Sequence, residues 1–296
     1  MTKPIRILLQ TTIPFAQDDW HIGRFSLLRD ELISMKDESG NQLCEVTTRN
    51  READSAGNDP ALSALDRSDF DELWLFAIDT GEGLTVTDCQ GITRFRQRGG
   101  GILATRDHED LGISLCTLGG IGRAHFFHSK HREPDASRHE VDDPYTTSIS
   151  WPNYHSGANC DYQSIAVTSP HDLLRNGSAT GLIEFFPAHP HEGAVGVPEG
   201  EEAQARVIAS SQSKTTGRAF NLVVAFESSR DDHGNILGRG IAESSFHHFV
   251  DYNWDTDMGC PSFLIEPPGD GYQQNPRALE DIKTYVRNAA VWLAGR

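Results

Sequence analysis

Residues 99–112 read GGGILATRDHEDLG and place Asp107, His108 and Glu109 directly after a short apolar run. A carboxylate beside an imidazole can shuttle protons, because histidine titrates near about 6.5 and its neighbours tune it. A strand-to-helix turn of this kind projects one side chain into a cleft, and Asp107 or His108 would occupy its tip. The competing reading makes Asp107 and Glu109 plain caps of the helix that follows, where acidic groups are stabilised.

Histidine is frequent, with 13 residues, several of them clustered. His247 and His248 follow the short run Gly240–Glu243. Adjacent residues on a strand face opposite sides, so one of the pair is expected in a site. Phe246, Phe249, Tyr252 and Trp254 around them suggest a packed, partly apolar wall. His189 and His191 lie two apart in FFPAHPHEGAV. In an extended segment both rings face one way, which suits a divalent transition metal, with His248 as a further ligand. The alternative is a Pro-rich loop with two solvated histidines. His125, His128 and His131, spaced by three, read better as a solvated segment than as ligands. Trp151, Tyr154 and His155 could line a lid or pack an insertion. No GxGxxG, GxxxxGK[ST] or GxSxG motif is present, so those phosphate loops and that serine elbow are unsupported.

The elements that must hold these groups alternate. IRILL from Ile5, CEVTT from Cys44, LWLFAI from Leu73 and ILAT from Ile102 read as strands. Helical spacing lies between them, around Phe25 to Ile33, Ala61 to Leu65 and Asp88 to Arg98. This βαβ alternation implies a parallel sheet with helices on both faces. Further strands are expected at residues 181–186, 205–210, 221–226 and 240–243. An amphipathic helix from Pro276 to Trp292 closes the pattern. Residues 119–164 break it and read as an elaborated insertion, since long structureless loops are rare in compact folds.

With 296 residues, one domain over 1–296 with that insertion is the expectation. The balance of 26 basic and 43 acidic residues gives a net charge of −17, which disfavours nucleic acid or an anionic membrane as partner. Arg94, Arg96, Arg98 and Arg106 form a local basic group, read mainly as an exposed helix face. The five cysteines are widely spaced with no CxxC pair, as expected of free thiols in a reducing cytosol. No apolar stretch is long enough to span a bilayer and no secretory signal is apparent, so the expected location is cytoplasmic.

The strand order, the turn at 99–112 and the late histidine pair together resemble the class I glutamine amidotransferase-like superfamily, nearest its trehalose-utilisation (ThuA-like) branch. The resemblance runs from about Ile5 to Trp292. It implies an α/β, flavodoxin-like three-layer sandwich with a mostly parallel central sheet, its cleft built from 106–110 and 244–248. In that superfamily the turn carries a cysteine nucleophile and a late histidine acts as its base. Here the turn has Arg106, Asp107 and His108 but no cysteine, and Phe249 and Val250 stand where the family's glutamate would follow either histidine. The expected function is therefore acid/base or metal-assisted hydrolysis or isomerisation of a small polar substrate, carbohydrate-related by the resemblance. Asp107 or Glu109 would be base or metal ligand, and His247 or His248 the partner acid or second ligand. The alternatives are a non-catalytic binding module and a thiol enzyme using Cys116 or Cys160. A small-molecule ligand is the expected partner, and an uncovered sheet edge or the insertion could pair two chains.

Overall fold

The computed structural model describes residues 3–136, 161–188, 192–213, 217–231, 234–264 and 269–296. In chain order its strands are β1 (Ile5–Thr11), β2 (Cys44–Arg49), β3 (Glu72–Phe76), β4 (Gly101–Thr105), β5 (His125–Phe126), β6 (Tyr162–Ser164), β7 (Ala166–Val167), β8 (Phe185–Pro187), β9 (Ala194–Val195), β10 (Ala205–Gln212), β11 (Ala219–Phe226), β12 (Ser229–Arg230), β13 (Ile236–Leu237) and β14 (Gly240–Glu243). Its α-helices are α1 (Ser26–Ser34), α2 (Pro60–Ser63), α3 (Val86–Gln97), α4 (Asp251–Trp254), α5 (Gly271–Gln274) and α6 (Pro276–Leu293).

Among the described residues, eight strands form one sheet in the order β2-β1-β3-β4-β14-β11-β10-β7. The first five run parallel, and β11, β10 and β7 extend the sheet by antiparallel pairing. The order 2-1-3-4 followed by a fifth parallel strand is the flavodoxin-like winding. Side chains alternate between the faces, as strand geometry demands. Leu9, Trp74, Phe76, Leu103 and Ile241 join one apolar cluster with Leu28 and Leu32 of α1 and Ile282 and Val286 of α6. Leu8, Leu73, Leu75, Ala104 and Ala242 join the other, with Leu62 of α2 and Ile92 and Phe95 of α3. The result is three layers with the sheet in the middle.

Local signals set the helix ends. Thr85 and Asp88 form a reciprocal capping box at the start of α3. The start of α1 is capped from a distance: Asp251 accepts from the Ser26 N–H, the Ser26 hydroxyl and the Leu27 N–H at 3.0, 2.6 and 2.7 Å. This contact ties the segment after β14 to the helix after β1.

Two expectations need correction. The strand expected at 181–186 is reduced to β8, which pairs with β6 outside the central sheet. Gly181 has φ +70°, and the N–H groups of Glu184 and Phe185 donate to the Asp281 carboxylate of α6, so they are lost to a longer ladder. No α-helix follows the 106–112 turn. Gly112 at φ +85° leads only into a 3-10 turn, Ile113–Thr117, so the turn has no α-helix N-terminus. At the described start of the insertion, Gly120–Ala124 forms a 3-10 turn and β5 pairs with β9. Residues 137–160, with Trp151, Tyr154, His155 and Cys160, lie outside the described residues.

The four arginines do not form a basic face. Arg94 is paired with Asp66 at 3.0 Å. Arg98 donates to the carbonyls of Leu65, Ser68 and Phe70. Arg96 and Arg106 are buried. Among the described residues no helix is long and apolar enough to cross a membrane.

Candidate active site

β4 and β14 are parallel neighbours, with Thr105 opposite Glu243, so the turns leaving them lie side by side at the carboxyl end of the central strands. The β4 turn carries Arg106, Asp107 and His108. The β14 turn carries Ser244, Ser245 and the 3-10 turn Phe246–His248. They are stitched together by the Phe246 N–H, which donates to the Arg106 carbonyl at 2.9 Å. The Ser245 hydroxyl donates to Asp107 Oδ1 at 2.8 Å and accepts from the His247 N–H.

Asp107 is buried, and His108 Nδ1 meets its Oδ2 at 2.8 Å. On the other side, His247 Nε2 stands 3.8 Å from the same Oδ2. His247 Nδ1 meets Asn253 Oδ1 at 2.9 Å, and the Asn253 amide is oriented by donating its Nδ2 to the Ala188 carbonyl. That orientation makes Nδ1 the protonated nitrogen of a neutral His247 and turns the Nε2 lone pair toward Asp107. Burial holds the His247 pKa below the usual imidazole value, against the pull of Asp107 and Asn253. Trp20 meets the ring edge-on and Phe246 stacks on it, fixing its plane. Burial also opposes charge on His108, but the charge and hydrogen bond of Asp107 outweigh it and raise its pKa. One carboxylate thus sits between a neutral imidazole and one biased toward imidazolium.

His248 points the other way, into the core. Its Nδ1 meets Glu243 Oε2 at 3.1 Å and its Nε2 meets Glu192 Oε1 at 3.3 Å. Glu192 also accepts from Gln163 Nε2 at 2.6 Å and the Ser244 hydroxyl at 2.7 Å, and Glu243 accepts from the Tyr285 hydroxyl. Burial disfavours the charged ring, yet the facing carboxylates push its pKa up to about 10. His248, expected as a metal ligand, therefore has both ring nitrogens engaged by carboxylates. Its partners His189 and His191 lie outside the described residues. Among the described residues, no three His, Cys, Asp or Glu side chains gather as a metal site.

Arg106 is fully buried beneath the turn. It lies over the Phe127 ring at 4.2 Å and donates Nη2 to the Glu109 carbonyl. Burial brings its pKa down to about 9, so it is still cationic at neutral pH. Glu109, expected as a base, takes φ +47°, the strained point of the turn, and contributes its carbonyl to this bond. Gly193 covers Arg106 from above. A Cβ there would lie 2.6 Å from Arg106 Nε and from the Asp107 carbonyl, and 2.7 Å from the Ser244 carbonyl.

Other titratable groups that lie beyond the ends of β1 and β3 make structural bonds. Asp79 accepts from Gly81 N–H, Ser114 N–H and the Ser114 hydroxyl. Asp18 binds Ser262, and His21 caps the 3-10 turn Ile22–Phe25. The histidine trio diverges: His125 Nε2 meets the Ala104 carbonyl in the core, whereas His131 Nε2 meets the Arg123 carbonyl at the surface. Burial raises the Cys116 pKa, which works against a thiolate nucleophile there. Sequence reading gives no role to Ser245, Asn253, Glu192 or Glu243. Glu243 and Ser245 carry only the signal of lying at or just after the end of β14, and Glu192 and Asn253 are brought in by the packing of other segments.

No family model matches the chain, and no curated protein matches it. Solved structures do resemble it. The N-terminal domain of mmIFT52 has a TM-score of 0.53 at 11% identity, over 97% of this chain and 97% of that one. A ThuA-like protein from Parabacteroides merdae has a TM-score of 0.48 at 13% identity, covering 99% and 90%. The glutaminase domain of Trypanosoma brucei CTPS, with bound acivicin, has 0.43 at 12%, covering 96% and 94%. At these identities the likeness is one of fold.

Proposed function

We propose that the chain is an amidotransferase-like enzyme that performs acid/base chemistry on a small polar substrate with a carboxylate–imidazole pair in place of a thiol. The observation that carries this reading is the approach of His247 Nε2 to Asp107 Oδ2, 3.8 Å apart at the ends of adjacent parallel strands. His247 is the base. Its Nε2 takes a proton from a substrate hydroxyl or a water, and the imidazolium that forms is stabilised by Asp107 and still donates Nδ1–H to Asn253. From a water, the oxygen bonds to the substrate carbon as the bond to the leaving group breaks, and the proton passes to that group, completing a hydrolysis. From an anomeric hydroxyl, a carbonyl forms as the ring C–O bond breaks, and the proton passes to the ring oxygen, completing a ring-opening isomerisation. His108 supplies positive charge at the rim. The ThuA-like resemblance makes sugars and polyols the first substrates to try.

The test is a turnover screen over aldoses, ketoses, glycosides and sugar acids, followed by Asp107→Asn and His247→Gln. Each variant is expected to lower kcat by about 10²–10⁴ while keeping the wild-type melting temperature within a few degrees. Unchanged kcat in both variants would overturn the reading. A second reading, a binding module, is favoured by one observation: both Asp107 oxygens already accept hydrogen bonds, from Ser245 and His108. It predicts a ligand from the same panel that binds, is not turned over, and is lost in Asp107→Asn.

A further inference from the structure

At the opposite end of β4, a cavity of about 330 Å³ lies between α3, the loop before β5 and the β12–β13 hairpin. The length of β4, five residues, separates it from Asp107. Arg96 lines it and is 7% exposed. Its Nε donates to the Gly238 carbonyl at 3.0 Å, and its guanidinium carbon lies 5.4 Å from the centre of the Phe226 ring. These contacts fix the plane of the group and leave the edge formed by Nη1 and Nη2 without a hydrogen-bond partner among the described residues. Gly120, at φ +60°, lets the chain pass this edge: a Cβ there would stand 2.8 Å from Nη1.

The acids around the cavity are committed elsewhere. Glu201 accepts from Gln204 Nε2 at 2.9 Å and lies 3.8 Å from Arg123 Nη1. Asp231 accepts from the N–H and the side-chain amide of Asn235 within its own hairpin. A nearly buried guanidinium with its fork exposed to a cavity is matched by a planar or tetrahedral oxyanion that accepts two parallel hydrogen bonds. Burial lowers the Arg96 pKa, and the charge of Glu201 across the cavity offsets this only in part.

We propose that this cavity is a second binding site, for a small molecule bearing a carboxylate or phosphate group that pairs with the Nη1–Nη2 edge of Arg96. The cavity volume, at the lower end of the roughly 300–1,000 Å³ of ligand pockets, suits a compact ligand. The polar side chains of Gln97 and Gln204 suit hydrogen-bonding groups on the rest of it.

Isothermal titration of the full chain with inorganic phosphate and, separately, with succinate at matched ionic strength tests this. Saturable binding of phosphate alone assigns a phosphoryl ligand, and of succinate alone a carboxylate; saturation by both assigns the shared oxyanion site. Arg96→Gln should weaken the bound anion at least about tenfold. Gln97→Trp, which removes no hydrogen bond shown by the structure and fills the cavity, should do the same and covers the case of Arg96→Gln failing to fold. Binding should persist in Asp107→Asn. Retained affinity in either folded variant, loss in Asp107→Asn, or no saturation by either anion in folded wild type would overturn the proposal.

Discussion

His247 and His248 are chain neighbours held in opposite protonation states. His247 lies among aromatic rings with one carboxylate at 3.8 Å, and burial keeps it neutral. His248 lies between two carboxylates that keep it charged. If His247 is the base, its lowered pKa places the acid limb of kcat against pH below the ordinary imidazole value. Asn253→Asp, by adding charge at the Nδ1 side, should move that limb upward, and a pH–rate profile of the two proteins reads the shift. For His248 the sign runs the other way. Its folded pKa of about 10 exceeds the unfolded 6.5, so its contribution to stability is complete below about 6.5. That contribution is lost as pH rises through about 10. Denaturation midpoints should therefore fall over this alkaline window. His248→Gln should flatten the fall and cost about 3–5 kcal/mol, because it leaves buried carboxylates unpaired. The candidate groups Asp107, His108 and His247 were legible in the sequence as clustered titratable residues after apolar runs. The division of labour between His247 and His248 was not. It depends on Glu192 and Asn253, whose approach is decided by tertiary packing alone.

Two turns, rather than two helices, hold the site. The β4 turn is shaped by Glu109 and Gly112 in the left-handed region, and the β14 turn by the Ser245 hydroxyl bonded to the His247 N–H. Gly193 closes over both, and its N–H donates to the Ser244 carbonyl at 3.0 Å. Gly193→Ala would drive a methyl group into two backbone carbonyls and Arg106 Nε. The turns would have to part, displacing Asp107 relative to His247. We expect kcat to fall about tenfold or more, with a stability loss of about 1–3 kcal/mol, read by kinetics beside a urea melt. A larger loss of stability with kcat intact would show that Gly193 serves the fold alone. Strong apolar runs and helix caps made β1, β3, β4, α3 and α6 readable in advance. The helix expected after the β4 turn failed because Gly112 and the Gly119-Gly120 pair limit the backbone there to 3-10 turns. Short strands such as β5 and β9 carry too few residues for any period to show.

Across the whole molecule, the layers follow from alternation along each strand, but their order in space does not. Strand β14 is the last in sequence yet sits between β4 and β11, with Gly240 opposite Ile102. A pairing of such sequence separation leaves no local mark on either segment. This placement has a consequence for the order of folding. Strands β1 to β4 are near neighbours along the chain and can zip together early, but β4 then presents an unpaired edge until β14 arrives. Closing so long a loop is slow, and an open apolar edge invites association with other chains in the meantime. The strand that heals this edge is also the one that delivers His247 to Asp107. A chain in which β14 has not yet paired with β4 lacks the approach of His247 to Asp107, so the candidate site assembles only as this edge is healed.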